Sequence, residues 1–270
     1  MLSDITIGQF FPGKSVLHRM DPRVKLALTF VYIIVIFFPK NWVGLGLAVG
    51  FLMLCVLLSR IPIKAILKSL KPILPLLIFT SVINLFYAEG KVLVEFWIFT
   101  ITWDGIYKAI FIALRILCLI AASSLLTYTT SPTTLTDALE RLMSPLRFIR
   151  VPVHEIAMMM TIALRFIPSL IEETDKIMSA QKARGADMES GNILQRVKAL
   201  IPVLVPLFVS SFRRAFDLAT AMECRCYHGG EGRTRMKQLH MSVRDVAAIG
   251  VVALLTAALF VSNMYITAVI

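Results

Sequence analysis

Residues 106–127 read IYKAIFIALRILCLIAASSLLT, and in those positions Lys108 and Arg115 are the only charges. Apolarity here is continuous rather than alternating, which specifies a helix and not a strand. About 30 Å of hydrocarbon takes roughly 20 helical residues to cross, and a helix satisfies its own backbone groups where water is absent. The stretch therefore predicts a membrane span. Four more runs read the same way, 24–39, 42–58, 72–88 and 246–268, the first two joined by the tight turn Pro39-Lys40-Asn41. The expected fold class is an all-α polytopic membrane protein with about five transmembrane helices and long amphipathic cytoplasmic helices.

The whole chain agrees with that reading. Its 270 residues are 57% hydrophobic and 17% charged, with a mean hydropathy of +0.78, outside the range of soluble globular domains. Twenty-eight Lys and Arg against seventeen Asp and Glu leave a net charge of +11. On so apolar a chain this excess suits an anionic leaflet or an acidic partner better than nucleic acid. Cys55, Cys118, Cys224 and Cys226 are too few and too scattered for a disulfide framework. Met1–Gln9 lacks the basic and apolar segments of a signal peptide.

Basic residues set the expected orientation. Lys14, Arg19, Arg23 and Lys25 precede the first span and Arg60, Lys64, Lys68 and Lys71 follow the second, whereas Lys40 and Lys91 stand alone in the opposite loops. The N-terminus is thus expected in the cytoplasm and Ile270 outside. The domain plan is a four-span region 1–127, a cytoplasmic region 128–245 and a C-terminal span in 246–270. Residues 89–104 alternate as a short exterior hairpin, with Trp97 and Trp103 as interfacial anchors. Two further apolar runs, 156–171 and 199–212, are counted against as spans: the first carries Arg165 and Pro168, and exporting what lies between would export five cations.

Within 128–245, Ser131-Pro132 starts an amphipathic stretch to about Phe148. Val151-Pro152 opens a helix toward Arg184 that Gly185 ends, and another helix runs from about Asn192 to Cys226. Ile156, Met159, Ala163, Phe166 and Leu170 in one, and Val197, Leu200, Leu204, Phe208 and Phe212 in the other, recur at three- and four-residue steps. These faces fit packing on the protein's own spans. Arg184 and Arg225 fall in the last turns, where a cation suits the unpaired carbonyls. A planar guanidinium also suits bidentate contact with carboxylates of another protein, so capping and partner docking both stand.

Several motifs fail on chemistry. Gly8-Gln9-Phe10-Phe11-Pro12-Gly13-Lys14-Ser15 matches the phosphate-binding G-x-x-x-x-G-K-S, but that loop works only between a buried strand and a helix N-terminus. A lead-in packed beneath the spans is the better reading. His154-Glu155 starts like a zincin helix, yet Met158 stands where the second histidine is needed. Cys224, Cys226 and His228 lack a fourth ligand at usual spacing, so a reduced structural pair is expected. Arg115 in mid-span would face protein or water rather than lipid.

Taken together, His18-Arg19-Met20-Asp21-Pro22-Arg23-Val24-Lys25, Thr130-Ser131-Pro132, Val151-Pro152-Val153-His154-Glu155, Leu164-Arg165-Phe166-Ile167-Pro168, Gln181-Lys182-Ala183-Arg184-Gly185-Ala186-Asp187 and Gly229-Gly230-Glu231-Gly232-Arg233-Thr234 resemble the transmembrane T component of energy-coupling factor (ECF) transporters, the shared type serving several substrate-binding subunits. The family's two X-Arg-X motifs map onto Ala183-Arg184-Gly185 and Cys224-Arg225-Cys226, where cysteines replace the usual small flanks. The resemblance implies docking of each arginine into one of two cytoplasmic ABC ATPases, and a small, interchangeable membrane subunit that captures a vitamin or metal ion. It implies no cofactor on this chain, with ATP and Mg²⁺ held by the ATPases. Met158, Met159 and Met160 would suit interchangeable partners, thioethers repacking against different shapes; core packing explains them equally. A stand-alone membrane enzyme or channel is the other class, disfavoured because no span carries a carboxylate or histidine cluster. The purified chain alone is expected neither to bind nor to hydrolyse ATP. Saturable ATP binding that disappears in Lys14→Ala would overturn this.

Overall fold

The computed structural model describes residues 10–87, 92–96, 99–186, 192–230 and 238–265. The expectations for Met1–Gln9, Trp97, Asp187, residues 231–234 and Ile270 fall outside them. In chain order the elements are α1 (Pro22–Val35), α2 (Trp42–Ser59), α3 (Ile63–Leu70), α4 (Leu74–Tyr87), the antiparallel strands β1 (Val92–Phe96) and β2 (Phe99–Thr102), α5 (Trp103–Thr129), α6 (Pro132–Leu142), α7 (Val153–Ala183), α8 (Ile193–Glu223) and α9 (Val243–Tyr265). Short 3₁₀ turns cover Lys71–Ile73 and Ser144–Ile149. The fold is helical apart from this one hairpin among the described residues, and the hairpin lies where the alternating pattern predicted it.

Three boundaries differ from the sequence expectation. Helix α1 stops at Val35 instead of reaching 39, because proline disfavours helical geometry in the residue before it; the chain leaves through tight turns, Phe37 and Phe38 bonding the carbonyls of Ile34 and Val35. The basic loop after α2 is a helix, α3, with Ile66 buried beneath exposed Lys64 and Lys68. Among the described residues, six segments are long and apolar enough to cross a membrane: Trp42–Ser59, Ile63–Leu85, Trp103–Thr129, Val153–Ala183, Val197–Glu223 and Val243–Tyr265. Length and apolarity thus admit α7 and α8, each 31 residues long, and omit the 14-residue α1, giving six where the pattern of apolar runs counted five.

The chain divides into two compact units. One holds the described residues of Leu139–Lys237, the other those of Gly8–Ala138 and Gln238–Ile270. In the latter, α5 is the hub, packing on α1, α2, α3 and α4, while α9 packs on α1 and α2. Small residues sit at the contacts, among them Ala48, Ala121 and Ala122, all buried; in lipid, close backbone approach is what holds helices together. Gly44 shows the tolerance: a Cβ there would lie 2.9 Å from Asn41 Oδ1 and 3.1 Å from Ser262 Oγ.

Polar contacts tie off both ends of this unit. At one end, Asp21 caps α1 by accepting the Arg23 N–H at 2.9 Å, and its carboxylate receives the Arg23 guanidinium at 2.7 Å. Arg23 also donates to the Leu239 carbonyl at 2.9 Å. The Asp21 N–H donates to Asp245 Oδ1 at 2.9 Å, while Asp245 Oδ2 accepts the Ser242 N–H at 2.7 Å. Lys25 Nζ donates to the Thr129 carbonyl and Thr130 Oγ1 at 3.0 and 2.9 Å. Asp21, Lys25 and Asp245 are all buried. At the other end, Asn41 accepts the Gly44 N–H and donates to the Ser262 carbonyl. Arg115, left without a named partner by the sequence, donates to the Pro39 carbonyl at 2.9 Å and lies over the rings of Phe111 and Phe37 at 5.0 and 5.7 Å.

From Phe10 onward, the string that resembles a phosphate-binding loop folds as a stapled turn. With His18 Nε2–H donating to the Phe11 carbonyl at 2.9 Å, Nδ1 accepts the Ser15 hydroxyl at 2.6 Å. Phe11 N–H in turn bonds the Tyr128 carbonyl at 3.0 Å. Neither strand nor helix is present over residues 10–21, so this segment is a lead-in packed on the end of α5.

Burial opposes ionisation of Asp21, but hydrogen bonds from the Arg23 side chain and backbone outweigh it and hold the carboxyl below its usual range. A depressed folded value contributes stability that is fully present above the unfolded value of about 3.9 and is lost as pH falls through the folded one. Asp21→Asn should therefore lower the unfolding temperature at neutral pH, and the gap to the parent should narrow only below about pH 4. Thermal melts of the detergent-solubilised chain across that range check both the sign and the window.

Candidate functional site

The unit containing α7 and α8 is a long helical hairpin. Thirty-one residues at 1.5 Å each make either helix about 46 Å long. Their cross-links step in opposite directions. Gln181, near the end of α7, donates to the carbonyl of Pro202, early in α8, at 3.1 Å. Arg214, late in α8, donates to Ser169 Oγ at 2.6 Å and pairs with Glu173, in the middle of α7. Gly230, beyond α8, lies against His154 in the first turn of α7. The helices are antiparallel, so their C-terminal tips lie at opposite ends of the pair.

The first of these links answers a defect written in the sequence. Pro206 lies inside α8 and has no N–H, so the carbonyl four residues back, that of Pro202, loses its helical donor. The side-chain amide of Gln181 replaces it. Sequence reading gave no role to Gln181, Arg214, Ser169 or Glu173; the spacing Pro202-x-x-x-Pro206 was the signal that a donor had to come from elsewhere.

Both tips close by the same device. After Arg184 the chain turns left-handed at Gly185, φ 85°, whose N–H bonds the Lys182 carbonyl at 3.0 Å, and Ala186 N–H bonds that of Gln181 at 3.0 Å. After Arg225 it turns left-handed at Cys226, φ 54°, whose N–H bonds the Glu223 carbonyl at 2.8 Å, and Tyr227 N–H bonds that of Met222 at 3.0 Å. Each is a Schellman closure with arginine just before its left-handed residue. Backbone amides thereby take the carbonyls that an arginine cap would have served. Both guanidinium side chains are exposed, and neither has a hydrogen-bond or ion-pair partner among the described residues. Of the two readings left open, capping loses its main motive.

The remaining predicted residues fall around these tips. Ala183 and Gly185 are exposed beside Arg184, and Cys224 and Cys226 are exposed free thiols beside Arg225. Met158 is half-buried, Met159 and Met160 exposed. All three belong to the start of α7, the end beside which α8 finishes, far from Arg184. Along α8 most large apolar side chains are exposed, Leu204, Phe208, Phe212 and Phe216 among them, and Val203 is the one buried among those described.

A family model described as cobalt transport protein, CbiQ, matches residues 13–236, a span that includes both tips. Proteins named energy-coupling factor transporter transmembrane protein EcfT are similar over nearly the full length. That of Ruminiclostridium cellulolyticum is 55% identical over 251 residues, 93% of this chain and 94% of its own. Those of Clostridium kluyveri and Bacillus subtilis are 53% and 44% identical over 92% and 96% of this chain, and 93% and 98% of their own.

The chain belongs to the EcfT family of transmembrane components of ECF transporters. It is a multi-pass membrane protein of that family, and the resemblance carried by its motifs is thereby established. In this EcfT-family chain the second tip keeps its turn although cysteine replaces glycine at the left-handed position.

A Cβ at Gly185 would meet nothing within 4 Å, so its requirement is conformational alone. Gly185→Ala should destabilise the purified chain by about 1 kcal/mol, with Gly185→Asn milder because asparagine tolerates that region. Cys226→Gly should shift stability the other way, by about 0.5–1 kcal/mol. Denaturant titrations followed by helical circular dichroism read all three; a neutral Gly185→Ala would contradict the turn.

Proposed function

We propose that this chain couples two cytoplasmic ABC ATPases to a small substrate-binding membrane subunit in an ATP-driven importer. The observation that carries the proposal is the pair of exposed arginines, each fixed by an identical backbone turn and set at opposite ends of one cross-linked hairpin. Two docking points apart from one another are what two ATPases need. A helix pair bonded at several levels transmits displacement of its ends rather than absorbing it. In this reading ATP and Mg²⁺ reside in the ATPases, and this chain performs no chemistry of its own.

The exposed apolar face of α8, with Met159 and Met160 on α7, supplies the surface for the substrate-binding subunit. Thioethers and unbranched contacts repack against different partners, which suits interchangeable subunits. Choice of vitamin or metal ion then belongs to that subunit. The family description mentions cobalt, while the relatives' names specify no substrate. With α1 crossing and α7 and α8 kept on the near side, basic residues at 14–25 and 60–71 would place the N-terminus on the cytoplasmic face of the cell membrane; residues 128–245 would then face the same side as the ATPases, and the C-terminus would lie outside.

Removing one partner of a desolvated, hydrogen-bonded charge pair costs about 2–5 kcal/mol, whereas losing a contact with a helix dipole costs about 0.3–1 kcal/mol. Arg184→Glu or Arg225→Glu should leave membrane insertion normal, reduce ATPase affinity by at least about 30-fold and abolish uptake. The double reversal should be worst. Arg→Lys should be intermediate, keeping charge but losing the planar fork. If both single reversals assemble and transport like the parent, docking through these residues is wrong.

A further inference from the structure

Five residues beyond Arg225 the chain closes hard onto its neighbour. A Cβ built on Gly230 would lie 2.5 Å from His154 Cδ2, 2.8 Å from Cγ and 3.0 Å from its Cβ. Only glycine brings backbone that close to the ring. Gly229, at φ 97°, makes the bend that delivers it.

The histidine cannot simply yield. Its Nδ1 lies 3.1 Å from Glu140 Oε1, Glu140 is buried in the last turn of α6, and Nε2 is buried with no hydrogen-bond partner among the described residues. The ring is thus held between the end of α6, the start of α7 and the segment leaving α8. Arg225 sits on that segment, separated from the contact by Cys226, Tyr227, His228 and Gly229, with its own turn fixed by backbone bonds.

We propose that Glu140, His154 and Gly230 form a brace that positions the Arg225 tip for docking. Glu140 fixes the ring, and the ring fixes the height at which the chain after α8 crosses α7. The proposal rests on the docking role of Arg225 argued above. It makes Gly230 a positioning residue that acts through Arg225 and touches no partner itself.

The test is a double-mutant cycle in the assembled complex. The full-length chain, solubilised and immobilised, is titrated with the ATPases that co-purify with it. Gly230→Ala should lower their apparent affinity about tenfold, within the range over which residues in contact couple. The same substitution should have almost no further effect in an Arg225→Ala background and its full effect in an Arg184→Ala background. A general packing defect would add equally to both. Glu140→Gln, which keeps the side chain's shape and removes its charge, should show the same selectivity at smaller size, and it takes the place of Gly230→Ala should that variant fail to accumulate in the membrane. Equal effects in both backgrounds, or parent-like affinity in Gly230→Ala or Glu140→Gln, would overturn the brace. Parent-like docking by Arg225→Ala would remove the docking reading and the brace with it; an Arg225 effect with neutral brace variants removes the brace alone.

Discussion

A helix that enters hydrocarbon must satisfy its backbone groups before it arrives, since nothing outside will do so. Several helix ends answer that constraint. Asp21 and Asn41 cap α1 and α2 with side chains, and Thr102 caps α5 by accepting the Gly105 N–H at 3.1 Å. Side chains from other helices take carbonyls left without a helical donor: Arg115 that of Pro39, in the turn between α1 and α2, and Gln181 that of Pro202, inside α8. At the two tips the backbone closes on itself. That last solution leaves the arginine side chains exposed, as the proposed docking requires.

Arg23, Arg115 and Arg214 are half-buried, and each bonds a carbonyl, hydroxyl or carboxylate within the protein. Removing such a guanidinium leaves its acceptor without that bond. Arg184 and Arg225 stand exposed at helix ends, where local dipole contact is worth little. The same residue type thus serves internal bonding in one setting, and in the other is the exposed pair to which the proposed function assigns docking.

Much of the fold was legible because it depends on local pattern. Continuous apolar runs gave α2, α4, α5 and α9, alternation gave the hairpin of β1 and β2, and three- and four-residue steps gave α7 and α8 nearly to their ends. What escaped depends on distant residues. Asp245 meeting Asp21, Lys25 meeting Thr129, and Arg214 meeting Ser169 join positions that no periodicity links. The apolar runs within α7 and α8 are shorter than the helices because charge on one side interrupts them, so length and apolarity admit six candidate spans among the described residues where the runs counted five. At the second tip, Cys226 hid a left-handed turn that glycine announces at the first.

The prolines of α8 bear on how the hairpin could carry motion. A proline inside a helix removes a bond and invites a kink, so Pro202 and Pro206 should make the start of α8 its weakest part. The Gln181 bond to the Pro202 carbonyl lies at that level and ties it to α7 just before Arg184. Lower down, Arg214 joins Ser169 and Glu173, and beyond α8 Gly230 meets His154. Points of attachment spread along both helices oppose bending of either one alone. On the proposed function, a push delivered at one tip would reach the exposed apolar face of α8 as movement of the pair.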